Sequence, residues 1–158
     1  MAKLPSTQAL RMLRASGLPF VAHTYSYVPR GGTAHSSSEL GVPEHAVIKT
    51  LIFEDDKAAP LCVLMHGDKE VSAKGLARLL RRKTIRPCAP EVAQKHSGYQ
   101  VGGTSPFGIK KKMPLYVEAT ILQLDKLWIN GGARGLLVEL QPSVLRALLD
   151  FDVVAVGL

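Results

Sequence analysis

A lysine inside an apolar run is the first residue able to do chemistry. Lys49 stands in V-I-K-T-L-I-F-E-D, residues 47–55. β-Branched, apolar and aromatic residues dominate this run, and Asp55-Asp56 ends it, so it reads as a strand. Strand alternation puts Lys49, Leu51 and Phe53 on one face and Ile48, Thr50 and Ile52 on the other. Both faces are mostly apolar, as in a central strand covered on both sides. An ammonium there either reaches a partner or a pocket, where it can bind carbonyl or phosphate oxygens, or snorkels to solvent.

The second stretch is Gly102-Gly103-Thr104-Ser105-Pro106, inside the glycine-rich loop 98–108. Adjacent glycines allow close backbone approach, and successive N–H groups can cradle a carbonyl oxygen, an oxyanion or a phosphate. A tight structural loop is the competing reading. It is not a phosphate loop of the GxxxxGK[ST] kind, because no helix opening on Gly-Lys follows. Gly131-Gly132 repeats the logic after a strand. Ser105 has no evident His/Asp partner, and Cys88, in R-P-C-A-P, reads as a small packed residue. No HExxH or GxSxG occurs. His23, His66 and His96 read as structural. Cys62 and Cys88 lack metal-ligand spacing, so neither a metal nor another cofactor is expected.

These residues need a scaffold. At 158 residues the chain reads as one domain, 1–158, of α/β (α+β) class, with a mixed, mostly antiparallel sheet flanked by helices. Ser6 or Thr7 caps a first helix that stops at Gly17, and a strand spans 20–27. Its face of Val21, His23, Tyr25 and Tyr27 suits a pocket wall or a half-exposed sheet face. Residues 28–35 read as a loop, 36–40 as a short helix and 43–46 as a helical turn. Strands follow at 47–55 and 60–65, then a helix capped by Ser72, a strand at 84–86 and a helix at 91–96. Residues 115–118, 128–130 and 136–140 read as strands, 143–149 as a helix and 153–156 as a last strand or tail.

The formal net charge is +7, from 20 Lys and Arg against 13 Asp and Glu. That surplus suits a polyanion, and Arg81-Arg82-Lys83 and Lys110-Lys111-Lys112 are the clusters that would meet it; each also fits a solvated turn or helix end. The first residues lack the apolar segment of a signal peptide, and no run is long enough to span a membrane. A cytoplasmic protein with no membrane partner is the expectation.

Taken together, the chain resembles the YbaK family of free-standing aminoacyl-tRNA deacylases, related to the editing domain inserted in many bacterial prolyl-tRNA synthetases. The resemblance covers nearly the whole chain. It rests on His23-Thr24-Tyr25, Lys49-Thr50-Leu51, the loop 98–108 and Gly131-Gly132-Ala133-Arg134-Gly135. It implies a pocket for the 3′-end of a mischarged tRNA and removal of Cys or Ala from tRNA(Pro), with prolyl-tRNA synthetase as a further partner and no DNA. Lys49 and Gly102 are the implied catalytic residues. Tyr25, Gly103, Thr104, Ser105, Pro106, Asn130, Gly131 and Gly132 are the implied substrate-binding residues, and the two basic clusters the implied tRNA contacts. Asn130 stands where the cysteine-specific members place a serine, so the amino acid removed stays open. A non-catalytic RNA-binding module and a small-molecule ligand domain are the rival readings.

Overall fold

The run around Lys49 forms strand β2 (Val47–Asp55), with the limits its pattern predicts. The computed structural model describes residues 4–158; residues 1–3, part of the stretch read above for a leader, lie outside them. Before β2 come helix α1 (Gln8–Ser16), strand β1 (Val21–Thr24) and helix α2 (Gly32–Leu40). After it come β3 (Pro60–His66), α3 (Ala73–Leu80), β4 (Ile85–Pro87), α4 (Pro90–Ser97) and β5 (Leu115–Glu118). The chain continues through β6 (Leu127–Asn130), β7 (Leu136–Leu140), α5 (Pro142–Leu148) and β8 (Asp152–Val154). No described helix is long and apolar enough to cross a membrane.

Helix limits follow local chemistry. Thr7 Oγ1 accepts from Leu10 N at 3.0 Å and Ser72 Oγ from Gly75 N at 3.0 Å. Pro90 occupies the first turn of α4, where its missing N–H costs nothing. Two expectations are corrected, and one element was not foreseen. Strand β1 stops at Thr24 because its partner β7 begins at Leu136; beyond it Tyr25 N donates to Gly135 O, in the glycine turn. Helix α2 starts at Gly32, inside the stretch read as a loop, because T-A-H-S-S is weak in helix formers and hides its start. A 3₁₀ segment, Ala119–Gln123, was not legible as an element.

One eight-stranded sheet results, in the order β1-β7-β6-β2-β3-β5-β8, with β4 also on β2. Four pairings are antiparallel and three parallel. As alternation requires, Ile48 and Ile52 pack with Leu10, Leu13 and Leu145 on one face of β2. Leu51 and Phe53 pack with Leu76 and Ala77 on the other.

The edge of β2 away from β3 is discontinuous. Strand β6 pairs with it only at Val47 and Ile48, and β4 only over Phe53, Glu54 and Asp55. Between them no strand pairs with residues 49–52 on that side, and a hole is left in the sheet.

His66, fully buried at the end of β3, binds His45 O through Nδ1 at 2.6 Å and Thr120 Oγ1 through Nε2 at 2.7 Å. Burial holds its pKa below the ordinary imidazole value, so the folded protein keeps the ring neutral. The unfolded chain protonates it near pH 6.5. Its contribution to stability is therefore present above that pH and is lost as the pH falls toward the folded value. His66→Asn should melt lower at pH 7.5, yet lose less melting temperature than the parent between pH 7.5 and 5.5. Equal losses in the two proteins would place the acid sensitivity elsewhere.

Candidate active site

A cavity of about 770 Å³ opens at the hole in the sheet. Both faces of β2 contribute to its wall, since Lys49 and Thr50 point opposite ways and both line it. Lys49 is three-quarters or more buried, and its Nζ donates to Lys69 O, with Glu70 Oε1 3.5 Å away. Glu70 itself is largely exposed, so that ion pair is weak, and the carbonyl is the firmer anchor. An ammonium has three protons. One is held by Lys69 O, and the others are left for a ligand or the distant carboxylate. The wall segment that holds the lysine is itself fixed by the residues that follow β8. Leu158 N donates to Glu70 O at 2.8 Å and Ser72 N to Val156 O at 2.7 Å. The buried Glu118 carboxylate accepts from Val156 N and Gly157 N at 2.7 and 2.9 Å.

Opposite lies the glycine loop. Gly102 has φ +90°, and an added Cβ would come within 2.8 Å of the Tyr27 hydroxyl. Gly103 N donates to Gln100 O, which shapes the turn, and Ser105 Oγ accepts from Phe107 N. Asn130 ties this loop to the second glycine turn. Its Nδ2 donates to Gly102 O at 3.0 Å, while its Oδ1 accepts from Gly132 N at 2.7 Å and Ala133 N at 3.1 Å. Gly132 has φ +100°, and a Cβ there would also meet the Tyr99 ring at 2.8 Å. The Thr7 hydroxyl donates to Gly131 O at 2.6 Å, so α1 holds the turn from below.

Of the residues named from the sequence, Tyr25, Lys49, Gly102, Thr104 and Asn130 line the cavity. Gly103, Ser105, Pro106, Gly131 and Gly132 sit behind that wall and support it. Tyr25 is partly buried, which raises its phenol above the ordinary value and keeps it a donor at neutral pH.

Residues 31–148 match the aminoacyl-tRNA editing domain family. The chain belongs to that family. Its chemistry is aminoacyl-tRNA deacylation. EbsC of Enterococcus faecalis, named as a candidate Cys-tRNA(Pro)/Cys-tRNA(Cys) deacylase, is 28% identical over 143 residues, covering 90% of this chain and 87% of that protein. A proline–tRNA ligase of Oleidesulfovibrio alaskensis is 35% identical over 92 residues, 58% of this chain but only 16% of the ligase. Among solved structures, hypothetical protein APE2540 superposes with a TM-score of 0.86 at 24% identity, covering 96% of this chain and 99% of that one. A candidate trans-editing enzyme for prolyl-tRNA synthetase gives 0.82 at 21% identity, covering 98% and 99%. These two likenesses bear on the fold.

Other residues of this editing domain reach the cavity without having been assigned to it from the sequence. Arg134 lies over the Tyr27 ring, 5.1 Å from its centroid, and its Nε donates to Val101 O at 3.0 Å. Arg30, Thr33, His35, Ser36, Thr50, Glu70 and Cys88 are further polar residues of the wall. Burial, with Glu54 nearby, pushes the Cys88 thiol up to about 11, so it is no thiolate at neutral pH. The basic clusters lie elsewhere. Arg82 Nε binds Asp55 Oδ2 at 3.0 Å at the hairpin end of β2, and Lys110 and Lys111 follow the glycine loop, their N–H groups on Ser97 O and His96 O. None of the six lines the cavity. His45, His66 and Asp68 gather within 4.8 Å, but they do not form a metal site in this arrangement. The two rings stack with planes 6° apart and centroids 3.8 Å apart, so no point lies in both ring planes, and both His66 nitrogens are engaged.

Asn130 makes three hydrogen bonds across the two turns, so its loss should loosen both. Asn130→Ala should cost about 1–3 kcal/mol, a fall of roughly 2–12 °C in melting temperature for a chain of this size. Asn130→Ser should fall less, because a serine Oγ can still accept from the turn but cannot reach Gly102 O. Thermal melts of the two variants check this; equal melting of Ser and Ala variants would show that the acceptor half carries nothing.

Proposed function

We propose that this editing domain removes a mischarged amino acid from tRNA, with Cys-tRNA(Pro) as its substrate and prolyl-tRNA synthetase as the source of the error. One observation carries the reading. Lys49, Tyr25, Gly102 and Thr104 line one cavity in a chain aligned with a Cys-tRNA deacylase candidate over 90% of its length. A synthetase pocket shaped for proline rejects smaller amino acids poorly, so a second site that hydrolyses them is useful.

The cavity supplies donors and no strong nucleophile. Lys49 Nζ, the Tyr25 hydroxyl and loop N–H groups can hold the ester carbonyl and stabilise the charge that develops on it. Cys88 stays a thiol, and His35 Nε2 is engaged with Ser26 O at 2.6 Å. The attacking group therefore comes from the substrate or from water. With cysteine, the side-chain sulfur attacks its own ester carbon. The C–S bond forms, the C–O bond to the ribose breaks, the ribose oxygen takes the proton the thiol gives up, and a cyclic thiolactone leaves. With alanine, a water attacks, and free amino acid leaves. Asn130 favours keeping this second substrate in view, since its polar atoms are committed to the two glycine turns and it offers no free hydroxyl.

The tRNA body extends beyond the cavity, and Lys110, Lys111 and Lys112 lie on the run that continues from the glycine loop. Their phosphate contacts should each add roughly one unit to the salt dependence of binding.

Release of amino acid from Cys-, Ala-, Ser- and Pro-charged tRNA(Pro) tests the proposal, with the cysteinyl substrate expected to react fastest. Lys49→Ala should lower release by orders of magnitude with the fold kept, as read by circular dichroism. Gly102→Ala should lower turnover roughly a hundredfold, the scale of one lost oxyanion donor. It should also melt lower by about 1 kcal/mol of strain at positive φ. A fully active Lys49→Ala protein would remove the lysine from the mechanism. No release from any of the four substrates would favour a non-catalytic RNA-binding module.

A further inference from the structure

Thr50 Oγ1 is buried and has no hydrogen-bond partner, the sole side-chain polar atom in that position among the described residues. The atom is on β2 at the hole in the sheet, and Thr50 lines the cavity. Buried polar groups are nearly always paired, so an orphan in a cavity wall calls for an explanation. Valine would fill the same volume with no orphan.

The backbone of the same residue is open too. Hydrogen-bonded pairs alternate along an antiparallel ladder. Gly67 N donates to Val47 O and Asp55 N to Ala59 O, so the odd-numbered residues of β2 turn their N–H and C=O groups to β3. The even-numbered residues turn theirs to the other side. There Ile48 meets β6, Ile52 O accepts from Cys88 N at 3.0 Å and Glu54 meets β4. Thr50 alone in this series turns its N–H and C=O to the hole, and its unpartnered hydroxyl stands on the same residue, off the face of the strand.

The other polar groups of the cavity define what that spot can take. Lys49, Arg30 and Arg134 only donate. Three acceptors of the wall are already engaged: Val101 O by Arg134, Gly102 O by Asn130, and Asn130 Oδ1 by two N–H groups; the Thr33 and Ser36 hydroxyls are held as donors to Glu44 Oε2 and Thr33 O. The Glu70 carboxylate is at the exposed rim beside Lys49. An aminoacyl ester presents oxygens that need donors and one α-ammonium that needs acceptors. We infer that Thr50 receives the α-ammonium of the aminoacyl group on its carbonyl and hydroxyl oxygens, making this residue the reader of a free amine. The inference rests on the deacylase reading above.

The test uses the full chain with alanyl- and cysteinyl-tRNA(Pro), each with a free and an N-acetylated α-amine. The parent should show kcat/KM at least tenfold higher on the free amine. Thr50→Val should lose about tenfold on the free-amine substrates and little on the acetylated ones, while Thr50→Ser keeps the preference. Comparing parent and variant on each substrate cancels the different lability of the two esters. Thr50→Val should melt at or above the parent's temperature, because an unpaired hydroxyl has been removed. A parent that is active but indifferent to acetylation overturns the Thr50 assignment alone, as does a Thr50→Val protein that keeps the preference or loses equally on both substrates. A parent that releases nothing from any substrate overturns the deacylase reading, and this assignment with it.

Discussion

Strand β2 is central in the sheet yet lacks a neighbour along its middle. It is paired throughout with β3, but on its other side β6 leaves after two residues and β4 arrives only at Phe53. A sheet normally joins these elements edge to edge and seals its two faces from each other. Here the interruption lets a lysine on one face and a threonine on the other open into one cavity. The cost is unpaired backbone in the interior, and such groups persist only where something else satisfies them. A site that must hold an ester, its amine and the end of a nucleic acid has use for both donors and acceptors at that place.

The interruption has to be held open, and the polar contacts around it do that. Asn130, the last residue of β6, clamps two glycine turns together through its amide. On the opposite wall Glu118 binds the two N–H groups of Val156 and Gly157, and that segment holds Glu70 and so the carbonyl that anchors Lys49. Each clamp is a side chain on backbone groups, Asn130 both donating and accepting and Glu118 only accepting, the pairing that lets irregular backbone be buried without orphaned groups.

Much of the scaffold could be read from the residues. The β-branched run of β2, the caps Thr7 and Ser72, and Pro90 each act locally, and they marked their elements to within a residue or two. The length of β1 could not be read, because it depends on where β7 begins, more than a hundred residues away. The start of α2 was hidden by poor helix formers whose helix is set by tertiary contact. In the site, Lys49 and the glycine loop were visible as residue types out of place for their surroundings. Thr50 was not, since a threonine in a strand is ordinary until the missing neighbour is known. Asn130 was legible as a position, but not as a clamp, for the partner that ties it to the other turn, Gly102 O, lies 28 residues back. The charge surplus pointed to a polyanion, but clusters of adjacent basic residues say nothing about isolated cations such as Arg30 and Arg134, which the fold brings to the cavity wall.

The glycines in and behind the cavity wall also determine where it is able to vary. Gly102 sits against the Tyr27 ring and Gly132 against Tyr99, both at a backbone conformation closed to other residues. Those walls cannot be enlarged, recharged or trimmed by single substitutions without moving an aromatic ring. Positions that carry real side chains on regular backbone, such as Thr50 and Ala93, have no such constraint. A lineage of this fold that changed the amino acid it accepts would therefore record the change on β2 and α4, with the two turns left as they are. Libraries built to retune the cavity should sample those elements and leave the glycines alone.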